Sequence, residues 1–189
     1  MVRNLRLSLS DIAGDDYVEQ VCRASAALGI GTFAALHRMA ETPVDFYPEE
    51  LACRLDSLLE QAGSEIVSGW SGSSPGAGTR AFDAALQRGA APLSGLGFLR
   101  IGEDGRLAIT GKSEHYQASL GHNFPGFDLL RHAAAIGITN ITHNNTRGHL
   151  TRLFERELVR SANGLARDRQ EELDALIASE APHVLNRVI

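Results

Sequence analysis

Apolar residues recur at helical spacing through residues 10–60 of the chain. The first helical region begins at Ser10-Asp11, and Gly29 and Gly31 interrupt it before the pattern resumes. Two prolines mark residues 41–50 as a loop, and Pro48 lies where the next helix begins, because its missing N–H costs nothing there. That helix carries its apolar stripe on Leu51, Leu55, Leu58 and Leu59, with Gly63 as its C-terminal cap.

Glycine and serine dominate residues 68–80, which have the sequence SGWSGSSPGAGTR. This composition is typical of a linker or of a loop that contacts a substrate. The stretch is not a P-loop, because it lacks the Lys-Ser/Thr pair that contacts phosphate and magnesium. A short helix is predicted to follow at residues 81–88.

The clearest strand signal is the stretch GFLRIGEDGRLAITG, residues 97–111. Apolar residues precede and follow Asp104-Gly105, and Asp-Gly between two apolar runs is a strong signal for a tight turn. We therefore predict a β-hairpin over this stretch.

The remainder of the chain is predicted to be mostly helical. Residues 123–138 have the pattern of a loop, a helix, a glycine cap and a short strand. An amphipathic helix follows, with its apolar stripe from Leu150 to Val159, and Asn163-Gly164 closes it. A last helix is expected at residues 169–179 and a buried strand at residues 181–189. The predicted fold class is helix-rich α/β with one β-hairpin.

Composition narrows the class of protein. The chain has 189 residues, of which 43% are hydrophobic and 22% charged, as is typical of one ordinary domain. It has no apolar run long enough to cross a bilayer and no signal-peptide core, so we predict a cytoplasmic protein without membrane contact. A net charge of −5, with acids and bases interspersed, argues against a nucleic-acid partner. Cys22 and Cys53 form no CxxC motif and are predicted to be buried apolar residues.

The stretch THNNTRGH, residues 142–149, concentrates hydrogen-bonding side chains and allows three interpretations. The first interpretation is a histidine-based metal site, although the spacing of the histidines matches no common zinc motif. The second is a helix start that is capped by short polar side chains. The third is an anion or small-molecule site, where Arg147 adds a forked donor beside a helix N-terminus. The histidines of the first interpretation are His115, His122, His143 and His149, and the caps of the second are Asn144, Asn145 and Thr146.

Three successive segments carry a family resemblance. SLGHNFPGFDLLRHAAAIG resembles the LGH..P....A stretch of class III aminotransferases, which are pyridoxal-phosphate enzymes of fold type I. THNNTRGHLTRLFERELVRSANG resembles their next stretch, and HVLNRVI resembles the strand that leads into their phosphate-binding cup. With the predicted hairpin, the resemblance covers residues 96–189.

The resemblance implies an α/β protein in which residues 96–189 are the N-terminal segment of an aminotransferase-like domain of fold type I, ending before the phosphate cup. Residues 1–95 would form a helical N-terminal extension. The segment would supply residues of the substrate mouth and of the dimer interface. The family pattern, with the polar cluster, gives these candidate site residues: Gly121, His122, His143, Asn144, Asn145 and Arg147.

The resemblance also implies a cofactor and partners. Pyridoxal phosphate would serve the complete enzyme, with a small amino or keto compound as substrate. No covalent cofactor is expected on this chain, because Lys112, its only lysine, does not match the family's catalytic position. A homodimer, or association with a missing C-terminal portion, is the expected assembly. The alternatives are a non-catalytic helical binding or assembly module and a histidine-based metal-binding protein.

Overall fold

The computed structural model describes residues 3–74, 76–111, 120–138, 146–181 and 185–187. Over these residues the protein is helix-rich α/β with two small antiparallel sheets. The chain forms two compact units, each built from two stretches of sequence. Unit 1 comprises Met1–Leu7 and Pro43–Arg131, and unit 2 comprises Ser8–Thr42 and His132–Ile189. The predicted division of the chain after residue 95 stays a prediction.

The predicted helices are confirmed in the described residues, with ends that differ by a few positions. The helices are α1 (Leu9–Ala13), α2 (Asp15–Ala27), α3 (Phe33–Glu41), α4 (Glu49–Leu59), α5 (Arg80–Ala85), α6 (Asp128–Ala135), α7 (His149–Ala162) and α8 (Gln170–Ala178). Short 3₁₀ turns span Arg88–Ala90 and Pro125–Phe127. The strands are β1 (Arg6–Leu7), β2 (Val44–Asp45), β3 (Pro92–Leu96), β4 (Leu99–Gly102) and β5 (Leu107–Ile109).

The predicted hairpin is confirmed in unit 1 as β4 and β5, which pair antiparallel with Ile101 opposite Leu107. Gly105 lies in the turn at φ +75°, and a Cβ there would overlap the carbonyl oxygen of Val67. The turn therefore needs glycine for its backbone angle and for the close approach of a neighbouring segment. A third strand, β3, pairs with the other edge of β4 and was not predicted.

The core of unit 1 lies against the sheet formed by β3, β4 and β5. Leu99 and Leu107 are buried side chains of the hairpin. Leu55 of α4 lies against Gly97, where a Cβ would come within 2.9 Å of the leucine Cδ1. A separate two-stranded sheet pairs β1 with β2. The loop predicted at residues 41–50 thus contains strand β2. A strand of two residues is too short to show the alternation of apolar and polar residues that predicts a strand.

Unit 2 is helical. Ser8 and Asp11 form a reciprocal capping box at the start of α1, and Gly14, at φ +87°, separates α1 from α2. The predicted first helical region is therefore two helices, because Gly14 adopts a left-handed conformation that continuous helix does not allow. The hydroxyl of Ser25 donates to the carbonyl oxygen of Ile136 at 2.6 Å in the buried interior. Further buried apolar residues include Val18, Cys22, Leu36, Val159 and Leu173.

Several expectations differ from the structure or lie beyond its described part. Cys53 is exposed on α4, so the prediction that both cysteines are buried is wrong for Cys53 and confirmed for Cys22. Residues 181 and 185–187 form no strand, and the other residues of the predicted C-terminal strand lie outside the described residues. Ile138, where a short strand was expected after Gly137, forms no strand, and residues 139–145 lie outside the described residues. In the described stretches, no helix combines the length and hydrophobicity that crossing a bilayer requires.

Candidate functional site

Gly121 and His122 lie beside Gly97, next to the hairpin of unit 1. The amide of Gly97 donates to the carbonyl of His122, and the amide of His122 donates to the carbonyl of Gly97, both at 2.8 Å. Gly121 has a φ of +94°, and a Cβ there would lie 3.0 Å from the Cα of Gly97. Glycine at position 121 therefore allows two backbones to meet closely and brings His122 onto the sheet.

The imidazole of His122 packs over the backbone of β3. A Cβ at Gly95 would overlap the Cγ of His122, so the absence of a side chain at Gly95 makes room for the ring. The Nε2 of His122 lies 3.4 Å from the hydroxyl oxygen of Thr110. The tautomer of the ring decides which of the two groups donates. His122 is thus held by its backbone and by contacts on its ring, which fixes its orientation.

A cavity of about 280 Å³ opens beside His122. Aromatic rings pack next to it, with the centroids of Tyr47 and Phe124 5.3 Å apart. His122, Thr110 and Tyr47 are its hydrogen-bonding side chains, and no arginine or lysine of the described residues lines it. Such a cavity suits a small, largely apolar molecule that is oriented by one or two hydrogen bonds. Its lining residues are Tyr47, Leu51, Leu55, Gly97, Phe98, Thr110, Leu120, Gly121, His122, Phe124 and Pro125.

Arg147 belongs to unit 2, whereas Gly121 and His122 belong to unit 1. It precedes α7, and its Nη1 donates to Glu155 at 2.8 Å. The N-cap of α7 is Gly148, which supplies no side-chain bond. Thr146 is therefore not the cap of this helix, contrary to the helix-start interpretation, because the helix begins two residues beyond the position that such a cap requires. Asn144 and Asn145 lie outside the described residues.

His143, the remaining candidate, also lies outside the described residues. Within the described ranges, no group of three or more histidine, cysteine, aspartate or glutamate side chains is arranged to hold a metal ion. Of the four histidines in the metal interpretation, only His122 and His149 are described, and they belong to different units.

No family model, no curated protein and no solved structure matches this chain. The sequence pattern indicates Gly121 and His122 but not Thr110 and Tyr47, which complete the polar lining of the cavity. A hydroxyl beside a histidine has no linear signature when 11 residues separate the two in the chain.

Pyridoxal phosphate requires a lysine amine and groups that hold its phosphate. Lys112 lies outside the described residues, and no arginine or lysine among the described residues lines the cavity beside His122 to hold the phosphate. The described residues thus do not assemble a site for this cofactor. They do line a cavity of about 280 Å³ beside His122.

Proposed function

We propose that this chain is the N-terminal portion of a class III-fold, pyridoxal-phosphate-dependent aminotransferase-like protein of fold type I. In this proposal the cavity beside His122 forms part of the substrate mouth. The observation that carries it is the pair of hydrogen bonds between Gly97 and His122, which attaches the GHNFP segment to the hairpin. The resemblance places hairpin, Gly-His segment, proline turn and helix in this same order along the chain.

The residues of this chain would bind and orient substrate. Phe98 and Phe124 would give a small amino or keto compound an apolar wall to pack against, and His122 with Thr110 would offer it a hydrogen bond. When bound, pyridoxal phosphate supplies the electron sink for amino transfer. In this proposal, its lysine and phosphate cup come from polypeptide beyond these 189 residues.

The first test is cofactor capture. The chain is mixed with pyridoxal phosphate, alone and together with the polypeptide encoded immediately downstream, and absorbance and mass after borohydride reduction are measured. The proposal expects an adduct only in the mixture, on a lysine of the downstream polypeptide. An adduct on Lys112 in the chain alone, or no adduct in either sample, would overturn it.

The role of His122 is tested in the active mixture. His122→Gln should lower kcat/KM for amino transfer at least tenfold, as expected when a group that orients substrate is lost. The matched control is His37→Gln, because His37 lies on α3 in unit 2, where it pairs with Glu41 at 3.2 Å. Equal effects of the two substitutions would remove His122 from the substrate mouth.

One observation favours the alternative of a helical assembly module. The predicted apolar stripe of α7 is only partly covered, since Phe154 is 62% exposed and Leu158 is 38% exposed. Exposed apolar side chains on one helix are typical of a contact surface. In this alternative the occupant is the α7 of a second copy of the chain, which agrees with the dimer that the resemblance implies.

Sedimentation velocity distinguishes this alternative. Phe154→Ser with Leu158→Ser should dissociate a dimer that depends on α7. Leu130→Ser, at an apolar position of α6 that is also exposed, is the control and should leave the dimer intact. A chain that stays monomeric at all concentrations would exclude self-association through α7.

A further inference from the structure

A second cavity, of about 330 Å³, lies in unit 2 and is rich in arginine. It is bordered by the start and middle of α7, by α8 near Ile177 and by residues 186–187. Four guanidinium groups and one carboxylate line it, together with two aliphatic side chains and an amide. These residues are Arg147, Arg152, Glu155, Arg156, Val159, Ile177, Asn186 and Arg187.

The arginines exceed the carboxylates that pair with them. Arg147 pairs with Glu155 at 2.8 Å, and Arg156 pairs with Asp174 at 2.5 Å. Arg187 donates to the neutral carbonyl oxygens of Ile177 and Asn186. Among the described residues, the four guanidinium groups that line the cavity and the two carboxylates that pair with them leave an excess of two positive charges. Each guanidinium also has five N–H donors, so the paired arginines keep donors for a ligand.

The wall formed by residues 185–187 is held in place by hydrogen bonds. The side-chain amide of Asn163 donates to the carbonyl of Leu185 at 2.7 Å, and that of Asn186 donates to the carbonyl of Ser179. Both bonds join this segment to the ends of α7 and α8. Arg187 is therefore positioned at the cavity before any ligand binds, which lowers the entropy cost of binding.

We propose that this cavity binds a small dianion, with a phosphate monoester as its ligand. At neutral pH a phosphate monoester carries a charge of about −1.5 to −2, which matches the excess of two positive charges. The oxygens of a phosphate group are all bonded to one phosphorus atom, so several guanidinium groups can bind the same phosphate. In a dicarboxylate the two negative charges lie on separate groups. The site is independent of the proposed function, because none of its residues lies in unit 1.

The charge distribution disfavours a nucleic acid as the ligand. The whole chain has a net charge of −5, and binding along a phosphate backbone requires an extended basic face. Here the four arginines border a cavity of about 330 Å³, a volume within the range of small-molecule sites.

Calorimetric titration of the full chain with inorganic phosphate tests the inference, with succinate and acetate in parallel. Phosphate should bind saturably, more tightly than either carboxylate, and more weakly as salt is added. Arg152→Gln and Arg187→Gln should each weaken phosphate binding by about tenfold, the effect of losing a charged hydrogen-bond partner. Arg23→Gln is the matched control, because Arg23 lies on α2 and pairs with Glu19; its effect should stay below about twofold.

A substitution of opposite sign guards against effects on folding. Glu155→Gln removes the carboxylate that faces Arg147, so phosphate should bind several-fold more tightly, whereas damage to the fold would weaken binding. Absence of saturable phosphate binding would overturn the inference, as would equal losses in Arg152→Gln and Arg23→Gln. Tighter binding of succinate than of phosphate would assign the cavity to dicarboxylates instead.

Discussion

The ring of His149 stacks on the ring of Tyr17, with the two centroids 4.4 Å apart and the planes inclined by 29°. The Nε2 of His149 also lies 2.9 Å from the carbonyl oxygen of Ala13. Because a carbonyl oxygen only accepts, Nε2 carries the hydrogen of this bond. The first residue of α7 is thus joined to the end of α1 and to the first turn of α2. His149 therefore has a structural role in unit 2 that its place in the THNNTRGH cluster did not reveal.

The Tyr17–His149 contact predicts energetic coupling. A double-mutant cycle with Tyr17→Ala and His149→Ala should give a coupling of about 0.5–1.5 kcal/mol in the free energy of unfolding, the usual range for packed ring pairs. Urea unfolding of the four proteins, followed by circular dichroism, provides the measurement. Additive effects would show that the stacked arrangement contributes nothing beyond the burial of each ring.

Local signals in the sequence were sufficient for the hairpin and most helices. Asp104-Gly105 predicts the turn between β4 and β5, and Asn163-Gly164 predicts the end of α7. Strand β3 escaped prediction because Pro92, Ser94 and Gly95 disfavour an extended, half-buried pattern. It exists because β4 offers it a free edge, and pairing across strands is not encoded in the local sequence of either strand.

The candidate site was predictable in part for the same reason. Gly121 and His122 stood out through a short motif, but the bond pair between His122 and Gly97 joins segments 25 residues apart. Arg152 and Arg156 of α7 lie four positions apart, a spacing that places both on one face of the helix. Arg187 lies near these arginines because residues 185–187 pack beside α8. The sequence pattern does not predict where that segment packs.

Ser25 is expected to stabilise unit 2 through one buried hydrogen bond. Ser25 is 3% exposed, and its hydroxyl donates to the carbonyl oxygen of Ile136 at 2.6 Å. Ser25→Ala should lower the free energy of unfolding by about 1–3 kcal/mol, because a buried acceptor loses its donor. The matched control is Ser57→Ala, whose exposed hydroxyl donates to the carbonyl of Arg54 at 2.8 Å. A similar loss in both variants would argue against a special contribution from burial.

Gly95 is expected to be necessary for the placement of His122. Gly95→Ala introduces a Cβ that overlaps the imidazole, so it should destabilise unit 1 by about 1–3 kcal/mol, the usual cost of overpacking. It should also change the NMR shifts of the His122 ring, because the ring must move away from Thr110. Gly111→Ala serves as the control, since a Cβ there meets nothing within 4 Å. Unchanged ring shifts in Gly95→Ala would show that the ring does not need this space.

The two cysteines should differ in reactivity. Cys22 is 0% exposed, and burial, with a smaller contribution from the nearby Glu41 charge, raises the pKa of its thiol. Cys53 is exposed on α4. Iodoacetamide should therefore label Cys53 in the native chain and label Cys22 only after denaturation, because the thiolate is the reactive species. Peptide mass mapping provides the measurement, and rapid native labelling of Cys22 would contradict the buried position.

The capping box of α1 predicts a pH dependence of stability. The carboxylate of Asp11 accepts bonds from the amide and hydroxyl of Ser8, each at 2.8 Å, and these bonds lower its pKa below 3.8. Because the folded pKa is lower than the unfolded one, the stabilisation is complete above the unfolded value and is lost as pH falls through the folded value.

Unfolding of the native chain and of Asp11→Asn should therefore be compared from neutral pH downward. The native chain should be the more stable at pH 7, and its advantage should shrink once the pH falls below 3.8, where the carboxyl becomes protonated. Asp56→Asn makes the same change on the exposed face of α4, where the aspartate lies outside any capping box, and serves as the matched control. A constant difference for Asp11→Asn across the titration would show that the ionised carboxylate does not stabilise the helix start.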